Sequence, residues 1–308
     1  MDRFYKEPIF KYQGLLLHNL TAVYEAKKSK QLDDWTRFSN LLIDKFAIHS
    51  ATLFHLFFGI IQHEDSNSKF RKVGFDLFTV NSLIRAIMET YVTFNHVFVL
   101  PRTEQEAEFR FLLWQLDGFI EKRKFRIEKS DFELAESIGD SDQKTVANLT
   151  NQLIASAFAK NLGENQLNKL ITIKESKVKR TSWRFLHKNG EIRPLTIIEL
   201  IEYSCPARAF YNLYRYSSMH THSGYVSVEQ FEKVRGQIIS DQYADTLIRM
   251  SIYITIFLIK DICAIDKGAA TEYLKFSQAD KDDIDGANRE LREKLTADDT
   301  YSQWRHGI

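Results

Sequence analysis

The fold is decided by residues 70–106, FRKVGFDLFTVNSLIRAIMETYVTFNHVFVLPRTEQE. Apolar side chains recur there every three or four positions, which is the spacing of one helix face, so the stretch predicts a long amphipathic helix. Pro101 ends that helix, because proline lacks the backbone N–H that a helix interior needs. Thr103 and Glu106 then form a capping box, in which side chains satisfy the first free N–H groups of a new helix. Two long helices therefore follow each other across a short connection.

The same periodicity extends in both directions from this stretch. It predicts helices at about 8–28 and 33–63 before it and at about 104–129 after it. Four long amphipathic segments with short connections favour an antiparallel bundle, since this arrangement buries all four apolar stripes. Further helices are expected at about 143–161, 206–219, 228–264 with a break near Gly236, and 282–295. Residues 130–145 are expected to form a loop with at most short helical turns.

One segment departs from the helical pattern and is strongly basic. Between 160 and 195 the chain carries nine Lys or Arg against three Glu. Within it, Asn189-Gly190 separates two short runs, and Asn-Gly is the strongest short signal for a two-residue hairpin turn. We therefore expect an all-α fold, a multi-helix up-and-down bundle with one small β-hairpin insertion. A single helical-bundle domain is expected over 1–265, including the basic insertion at about 160–195, followed by an acidic C-terminal helix and tail over 266–308.

Composition excludes several classes of protein. Twelve Gly and four Pro in 308 residues are too few for the many turns of a β-sandwich or barrel. A net charge of +1 creates no global field that would recruit nucleic acid or a membrane. The two cysteines, Cys205 and Cys263, build neither a disulfide framework nor a metal cluster. The most apolar run, 46–61, is shorter than a membrane span and contains polar residues.

Location and cofactors are inferred from missing signals. Charges at Asp2, Arg3 and Lys6 interrupt the N-terminus, which therefore does not resemble a signal peptide, and a reducing cytoplasm is the expected location. The sequence contains no Gly-rich phosphate loop, no Gly-x-Ser-x-Gly elbow and no Glu-x-x-His pair. We therefore expect no cofactor and no bound metal.

Candidate chemistry is concentrated in residues 211–224, YNLYRYSSMHTHSG. Steps of three and four residues place five side chains on one helical face: Arg208, Tyr211, Arg215, Ser218 and His222. A face that packs into the core should be apolar, so the core face is expected to be the neighbouring one: Phe210, Leu213, Tyr214 and Ser217. Arg215 and His222 lie seven residues apart, close to two full turns, and point the same way. His220 lies about 140° around the helix from Arg215.

Arginine and histidine on one helix face suit phosphodiester chemistry. Arginine carries a permanent charge and contacts phosphate oxygens in pairs, whereas histidine moves a proton to or from a ribose hydroxyl or a leaving oxygen near neutral pH. The alternative is that Arg215 and His222 satisfy buried carboxylates such as Glu89. Arg85 and Glu89 lie four residues apart within an apolar helix pattern, where charges need partners. They either form an ion pair that links helices or face Arg215 and His222 across the bundle.

These residues resemble a known superfamily. Arg215 with His220 or His222 matches the Arg-x(4–6)-His pattern of the HEPN superfamily, helical-bundle proteins of bacterial defence and toxin–antitoxin systems, many of them metal-independent ribonucleases. A longer set of residues is similar, in the same order, to a bacterial family of helical proteins without assigned function: Arg85-x-x-x-Glu89, Trp183 and Tyr214-Arg215-x-x-Ser218-x-x-x-His222. The resemblance covers roughly residues 40–260, but it depends only on the individual residues named above.

The resemblance implies a function and residue roles. A HEPN-like ribonuclease or RNA-binding protein would work as a homodimer, in which Arg and His of two subunits form one cleft for RNA, and an antitoxin or another defence protein would be its partner. Arg215 would hold the scissile phosphate, with His222, or else His220, as the acid or base. Supporting roles would fall to Arg85, Glu89, Ser218 and Tyr211. Tyr216 follows Arg215 where active members carry a polar residue, which leaves a non-catalytic member open.

The basic segment has an RNA-binding interpretation of its own. Lys179, Arg180 and Arg184 are expected to hold the RNA backbone, with Trp183 or Phe185 stacked on a base. The alternative is a solvated insertion without a binding role. Two alternatives concern the whole protein, namely a non-catalytic interaction module in which the Arg/His/Glu cluster is structural, and a protein with a small-ligand pocket inside the bundle.

Overall fold

The computed structural model describes residues 8–27, 33–56, 77–124, 132–174, 177–221, 228–229 and 241–294. The helices before the strands are α1 (Pro8–Lys27), α2 (Asp34–Leu56), α3 (Leu77–Phe94), α4 (Glu104–Lys122), α5 (Phe132–Ala155), α6 (Ala157–Leu162) and α7 (Glu164–Leu170). The strands are β1 (Ile171–Lys174), β2 (Lys177–Thr181), β3 (Phe185–Lys188) and β4 (Glu191–Pro194). The later helices are α8 (Ile197–Ser204), α9 (Arg208–Thr221), α10 (Asp241–Ile265), α11 (Lys267–Leu274) and α12 (Gln278–Arg289). α3 and α12 continue into π-helical turns, Asn95–Val99 and Glu290–Lys294.

The all-α fold with a small β-hairpin insertion is confirmed. The predicted hairpin is the pair β3–β4, with Phe185 opposite Pro194 and Lys188 opposite Glu191. Asn189 and Gly190 form its turn with φ angles of 50° and 77°. A two-residue turn of this kind needs positive φ at both positions, and Asn and Gly adopt such angles at the lowest cost. The Asn-Gly signal therefore located the hairpin correctly.

A second antiparallel pair, β1 with β2, was not predicted. It is closed at its base by Ile171 opposite Thr181, and its register shifts between Thr172 and Ile173. An irregularity of this kind breaks the two-residue alternation by which a strand is recognised. Lysine and arginine also fill three of the five positions of β2, so this strand shows no clear apolar face in the sequence.

Helix α5 corrects the loop that was expected at 130–145. The helix begins at Phe132 and is 24 residues long. Gly139 and the nearby Asp and Ser favour a loop by intrinsic preference, but a helical glycine costs only about 1 kcal/mol. Because α5 packs along α4, tertiary contact outweighs that local preference. The break predicted near Gly236 lies outside the described residues.

Contacts group the described residues into two compact units, of which the first contains the chain up to Asn95 and from Ile201 onward. Within it α3 packs on α2 and α9, and α10 packs on α1. Its core includes the fully buried side chains of Ile84, Tyr91 and Phe257. α11 and α12, from the part expected to form an acidic helix and tail, pack on α1 and α10 respectively.

The second unit is formed by His96–Leu200. Within it α4 packs on α5, α6 and β2, and α7 packs on β1 and β4. Aromatic rings fill its core, where Phe109 lies 5.0 Å from Phe158 and 6.0 Å from Phe185 between ring centres. The basic insertion is part of this unit. The expectation that 1–265 forms a single domain stays a prediction.

Helix α4 begins at the predicted capping box. The backbone N–H of Glu106 donates to the Thr103 hydroxyl over 3.1 Å, and the Glu106 carboxylate accepts from the backbone N–H of Arg102 over 3.2 Å. Among the described helices none is long and apolar enough to cross a membrane. In the same ranges, no group of three or more His, Cys, Asp or Glu residues is placed to hold a metal ion.

Candidate functional site

Helix α9 presents two contrasting faces. The predicted core face is buried, with Phe210, Leu213, Tyr214 and Ser217 inside the first unit. Arg208 and Arg215 on the other side are exposed, and Tyr211 and Ser218 lie partly exposed at the boundary. The prediction of which face packs into the core is confirmed, and the polar face meets solvent.

Arg215 is held on the exposed face by a residue one turn before it. Its Nη1 donates a hydrogen bond to the Tyr211 hydroxyl over 2.7 Å, and its guanidinium carbon lies 5.5 Å from the centre of the Tyr211 ring. The sequence of α9 contains no Asp or Glu, and Arg215 makes no ion pair with a carboxylate in the part of the chain that the structure describes. Within these ranges, its exposed positive charge is a candidate contact for an anionic ligand.

Of the two candidate histidines, only His220 lies within the described residues. His220 lies in the last turn of α9, and His222 lies outside the described residues. The pairing of Arg215 with either histidine stays a prediction. Ser218 is three residues after Arg215, on the same side of α9 as expected.

Arg85, Glu89 and Tyr214 form a polar cluster between α3 and α9. Arg85 Nε donates to Glu89 Oε1 over 2.8 Å, and the Tyr214 hydroxyl donates to the same oxygen over 2.7 Å. The Arg85 guanidinium carbon lies 5.5 Å from the centre of the Tyr214 ring. The ion pair between Arg85 and Glu89 is formed within α3, and Tyr214 links it to α9. That the pair also faces His222 stays a prediction, because His222 lies outside the described residues. The cluster ends at Tyr214, the residue directly before Arg215.

Tyr214 serves this cluster as a hydrogen-bond donor. Burial first, and the hydrogen bond to Glu89 second, raise the pKa of Tyr214 above its usual value. The phenol therefore keeps its proton at neutral pH and continues to donate to the carboxylate. The sequence placed Tyr214 on the core face but did not identify its polar role, because its partner Glu89 lies 125 residues away.

A second polar contact ties the same two helices together. Ser217 Oγ donates to Asn81 Oδ1 over 3.1 Å, and both side chains are fully buried. Sequence reasoning missed Asn81, although it lies one turn before Arg85 on the same side of α3. Buried polar groups that bond to each other fix the register of two helices, since a slip would leave both without partners.

The residues proposed to bind RNA in the second unit are divided between surface and interior. Lys179 and Arg180 are exposed on β2, and the Arg184 guanidinium lies 5.1 Å over the Trp183 ring. The Trp183 side chain is only 8% exposed, and that of Phe185 is completely buried. Neither ring offers a face on which a base would stack. The burial of both rings does not support the expected stacking of Trp183 or Phe185 on a base. The cationic role of Lys179, Arg180 and Arg184 stays a prediction.

A buried charged network accounts for the position of Trp183. Arg110 Nε and Nη2 donate to Glu106 Oε1 over 2.9 and 2.6 Å, and Arg110 Nη1 lies 2.9 Å from His96 Nδ1. His96 Nε2 lies 3.0 Å from the Trp183 carbonyl oxygen. These contacts join α4, the π-helical turn and the segment before β3. The sequence signal was the spacing of four between Glu106 and Arg110, which surface ion pairs share.

His96 makes the stability of the second unit depend on pH. Burial first, and the charge of Arg110 second, hold the pKa of His96 well below its usual 6.5. The unfolded chain therefore takes up a proton that the folded chain does not, and stability is lost as pH falls below about 6.5. In His96→Gln this loss is expected to be smaller, by up to about 1.4 kcal/mol per pH unit between pH 6 and 5. Urea unfolding of both proteins from pH 8 to 5 measures the difference, and parallel profiles would contradict the assignment.

Comparisons with known proteins identify no relative of this chain. No family model matches the chain, and no curated protein and no solved structure matches it. The chemistry therefore has to be judged from the described side chains. In the first unit these are the exposed guanidinium of Arg215, hydrogen-bonded to Tyr211, and the partly exposed pair of Arg85 and Glu89, joined to α9 through Tyr214.

Proposed function

We propose that this chain is a HEPN-like, metal-independent ribonuclease or RNA-binding protein of a prokaryotic defence or stress system. The observation that carries the proposal is the exposed guanidinium of Arg215 on a helix without Asp or Glu, braced by the Tyr211 hydroxyl. A fixed cation of this kind binds phosphate oxygens, and the brace lowers the entropy that the side chain loses on binding. The resemblance in the Arg-x(4–6)-His pattern supports the same function.

The proposed reaction is transfer of a phosphodiester to the neighbouring ribose hydroxyl. The 2′-hydroxyl gives its proton to a base and its oxygen forms a new bond to phosphorus. The bond between phosphorus and the 5′-oxygen breaks, and that oxygen takes up a proton. Arg215 would stabilise the negative charge that grows on the phosphate oxygens, and His222, or else His220, would move the protons.

The proposal includes a homodimer, with an antitoxin or another defence protein as partner. In this arrangement each Arg215 would act with a histidine of the second subunit across one cleft. Arg85, Glu89 and Ser218 would act as positioning residues, since Glu89 pairs with Arg85 and holds Tyr214, the residue before Arg215, while Ser218 lies one turn after Arg215. Tyr211 would act through Arg215, to which it is hydrogen-bonded.

A second candidate is a non-catalytic helical interaction module. The observation in its favour is that Glu89 accepts hydrogen bonds from both Arg85 and Tyr214, so these polar groups already hold two helices together. In that case the cluster would contribute to stability alone. Arg215 discriminates between the two candidates, because its only described hydrogen bond is to a partly exposed residue of its own helix.

The test is cleavage of varied RNAs by the purified protein in EDTA. Arg215→Ala and His222→Ala are expected to lose cleavage by about tenfold or more, the cost of one hydrogen bond to a charged group. Arg208→Ala removes an exposed arginine from the same helix face and serves as the matched control. Arg215→Ala should unfold within about 0.5 kcal/mol of the parent, because the side chain is exposed. If the parent protein cleaves none of the RNAs, the proposed ribonuclease activity is wrong.

A further inference from the structure

The Arg85–Glu89–Tyr214 cluster leaves part of its hydrogen-bonding capacity unused. Among the described residues, both hydrogen bonds to the Glu89 carboxylate end on Oε1, so they fill the two acceptor positions of that oxygen and leave Oε2 outside the cluster. Arg85 reaches Glu89 through Nε, and its two terminal nitrogens take no part in the ion pair. The side chains are 26% and 38% exposed. A partly exposed guanidinium thus lies beside a carboxylate whose Oε2 accepts no hydrogen bond from the described residues.

We propose that this cluster binds the Watson–Crick edge of an unpaired guanine in the RNA strand whose phosphate Arg215 holds. The proposal rests on the proposed RNA function and adds a base preference to it. Arg85 donates to guanine O6 through a terminal nitrogen, and Glu89 Oε2 accepts from guanine N1–H and N2–H. Tyr214 keeps the carboxylate in place through its bond to Oε1.

Guanine is the one base whose edge complements this arrangement. Its Watson–Crick edge presents an acceptor followed by two adjacent donors, which match a cation followed by a carboxylate. Adenine and cytosine present a ring nitrogen acceptor next to their amino group, and its lone pair would face the carboxylate. Uracil offers a single donor between two acceptors. Bases are read in this way only where they are unpaired, because pairing hides the edge.

The position of the cluster fits a role beside the phosphate site. Tyr214 and Arg215 are consecutive in α9, so their side chains diverge by about 100° around the helix axis. Tyr214 points to the α3 side, where it contacts Glu89, and Arg215 lies on the exposed side. The base of a nucleotide bound at this edge of α9 would lie at the cluster that includes Tyr214, and its phosphate would contact Arg215.

Binding of short, 2′-O-methylated oligouridines tests the proposal without cleavage. Each carries one central guanine, inosine, adenine or uracil, and affinity is measured by fluorescence anisotropy. Inosine lacks only the N2 amino group, so guanine is expected to bind about tenfold more tightly, the value of one hydrogen bond to a charged acceptor. Glu89→Gln keeps an acceptor for Tyr214 and is expected to lose most of this preference. Asp34→Asn removes a carboxylate that pairs with Arg37 on α2 and should retain it.

The outcomes separate this inference from the function on which it rests. Equal affinity for all four oligonucleotides would overturn the guanine site and leave the RNA function standing. Failure to bind any of them would overturn both. Equal affinity for guanosine monophosphate and for the guanine oligonucleotide would overturn the assignment to RNA, since a free nucleotide would then be the ligand. A preference that Glu89→Gln leaves intact would place the selectivity elsewhere.

Discussion

Replacing Arg110 by alanine is expected to lower the free energy of unfolding of the second unit by about 3–5 kcal/mol. Arg110 and Glu106 are both only 4% exposed and bond through two guanidinium nitrogens. Without Arg110 the buried Glu106 carboxylate loses the guanidinium that pairs with it, and His96 loses the donor at its ring. Urea unfolding followed by tryptophan fluorescence measures the loss, because Trp183 contacts His96 directly.

Two further variants separate a buried-charge effect from loss of packing. Arg180→Ala removes an exposed arginine of the same unit and should change stability by no more than about 0.5 kcal/mol. Arg110→Met with Glu106→Gln replaces the ion pair by a neutral pair of similar volume and should recover a large part of the loss. If the double variant were as unstable as Arg110→Ala, the stranded charge would not be the cause.

The faces of α9 show what a single sequence predicts well. Phe210, Leu213 and Ser217 were assigned to the core from spacing alone, and all are buried. This works because the helix period is local, so that a few residues decide which side packs inward. The turn at Asn189 and Gly190 was correct for the same reason, since two adjacent residues determine the sign of φ there.

Burial of charged pairs shows what a single sequence does not predict. Glu106 and Arg110 lie four residues apart and are almost completely buried, whereas Asp34 and Arg37 lie three apart and are 70% and 51% exposed. Residues at both spacings are neighbours on a helix surface, so the spacing does not indicate burial. Only the tertiary arrangement of the other elements distinguishes the two pairs. The partner of Glu89 on α9 was hidden for the same reason, because that contact depends on how α3 and α9 pack.

The predicted site is thus composed of parts with different physical roles. Arg215 is exposed and hydrogen-bonded to Tyr211, as a ligand-binding residue would be, whereas Arg85 and Glu89 remain partly open to solvent while buried Tyr214 joins them to α9. A contact that stabilises the fold is compatible with binding when some of its donors and acceptors stay unused. Measurements of stability and of RNA binding on the same variants are therefore needed to separate the two contributions.

The largest effect in the first unit is expected at Arg292, in the π-helical turn after α12. Its Nη1 and Nη2 donate to the two carboxylate oxygens of Asp261 over 2.8 and 3.2 Å, and its guanidinium carbon lies 4.5 Å over the Phe257 ring. Asp261 is buried in α10 and also accepts from Tyr91 and Asn95. Arg292→Ala should cost about 3 kcal/mol, at the lower end for a broken buried pair because these two donors remain.

Asp261→Asn decides whether that cost comes from the ion pair. In the Arg292→Ala background the neutral amide removes the uncompensated charge, so the double variant should be more stable than the sum of the two single losses by about 1–3 kcal/mol. Arg289→Ala, an exposed arginine of α12, is the matched control and should be nearly neutral. Hydrogen exchange of the α10 amides reports on this unit alone. Strict additivity would mean that Arg292 stabilises the chain through its contacts with Phe257 and Tyr91 and not through the charge of Asp261.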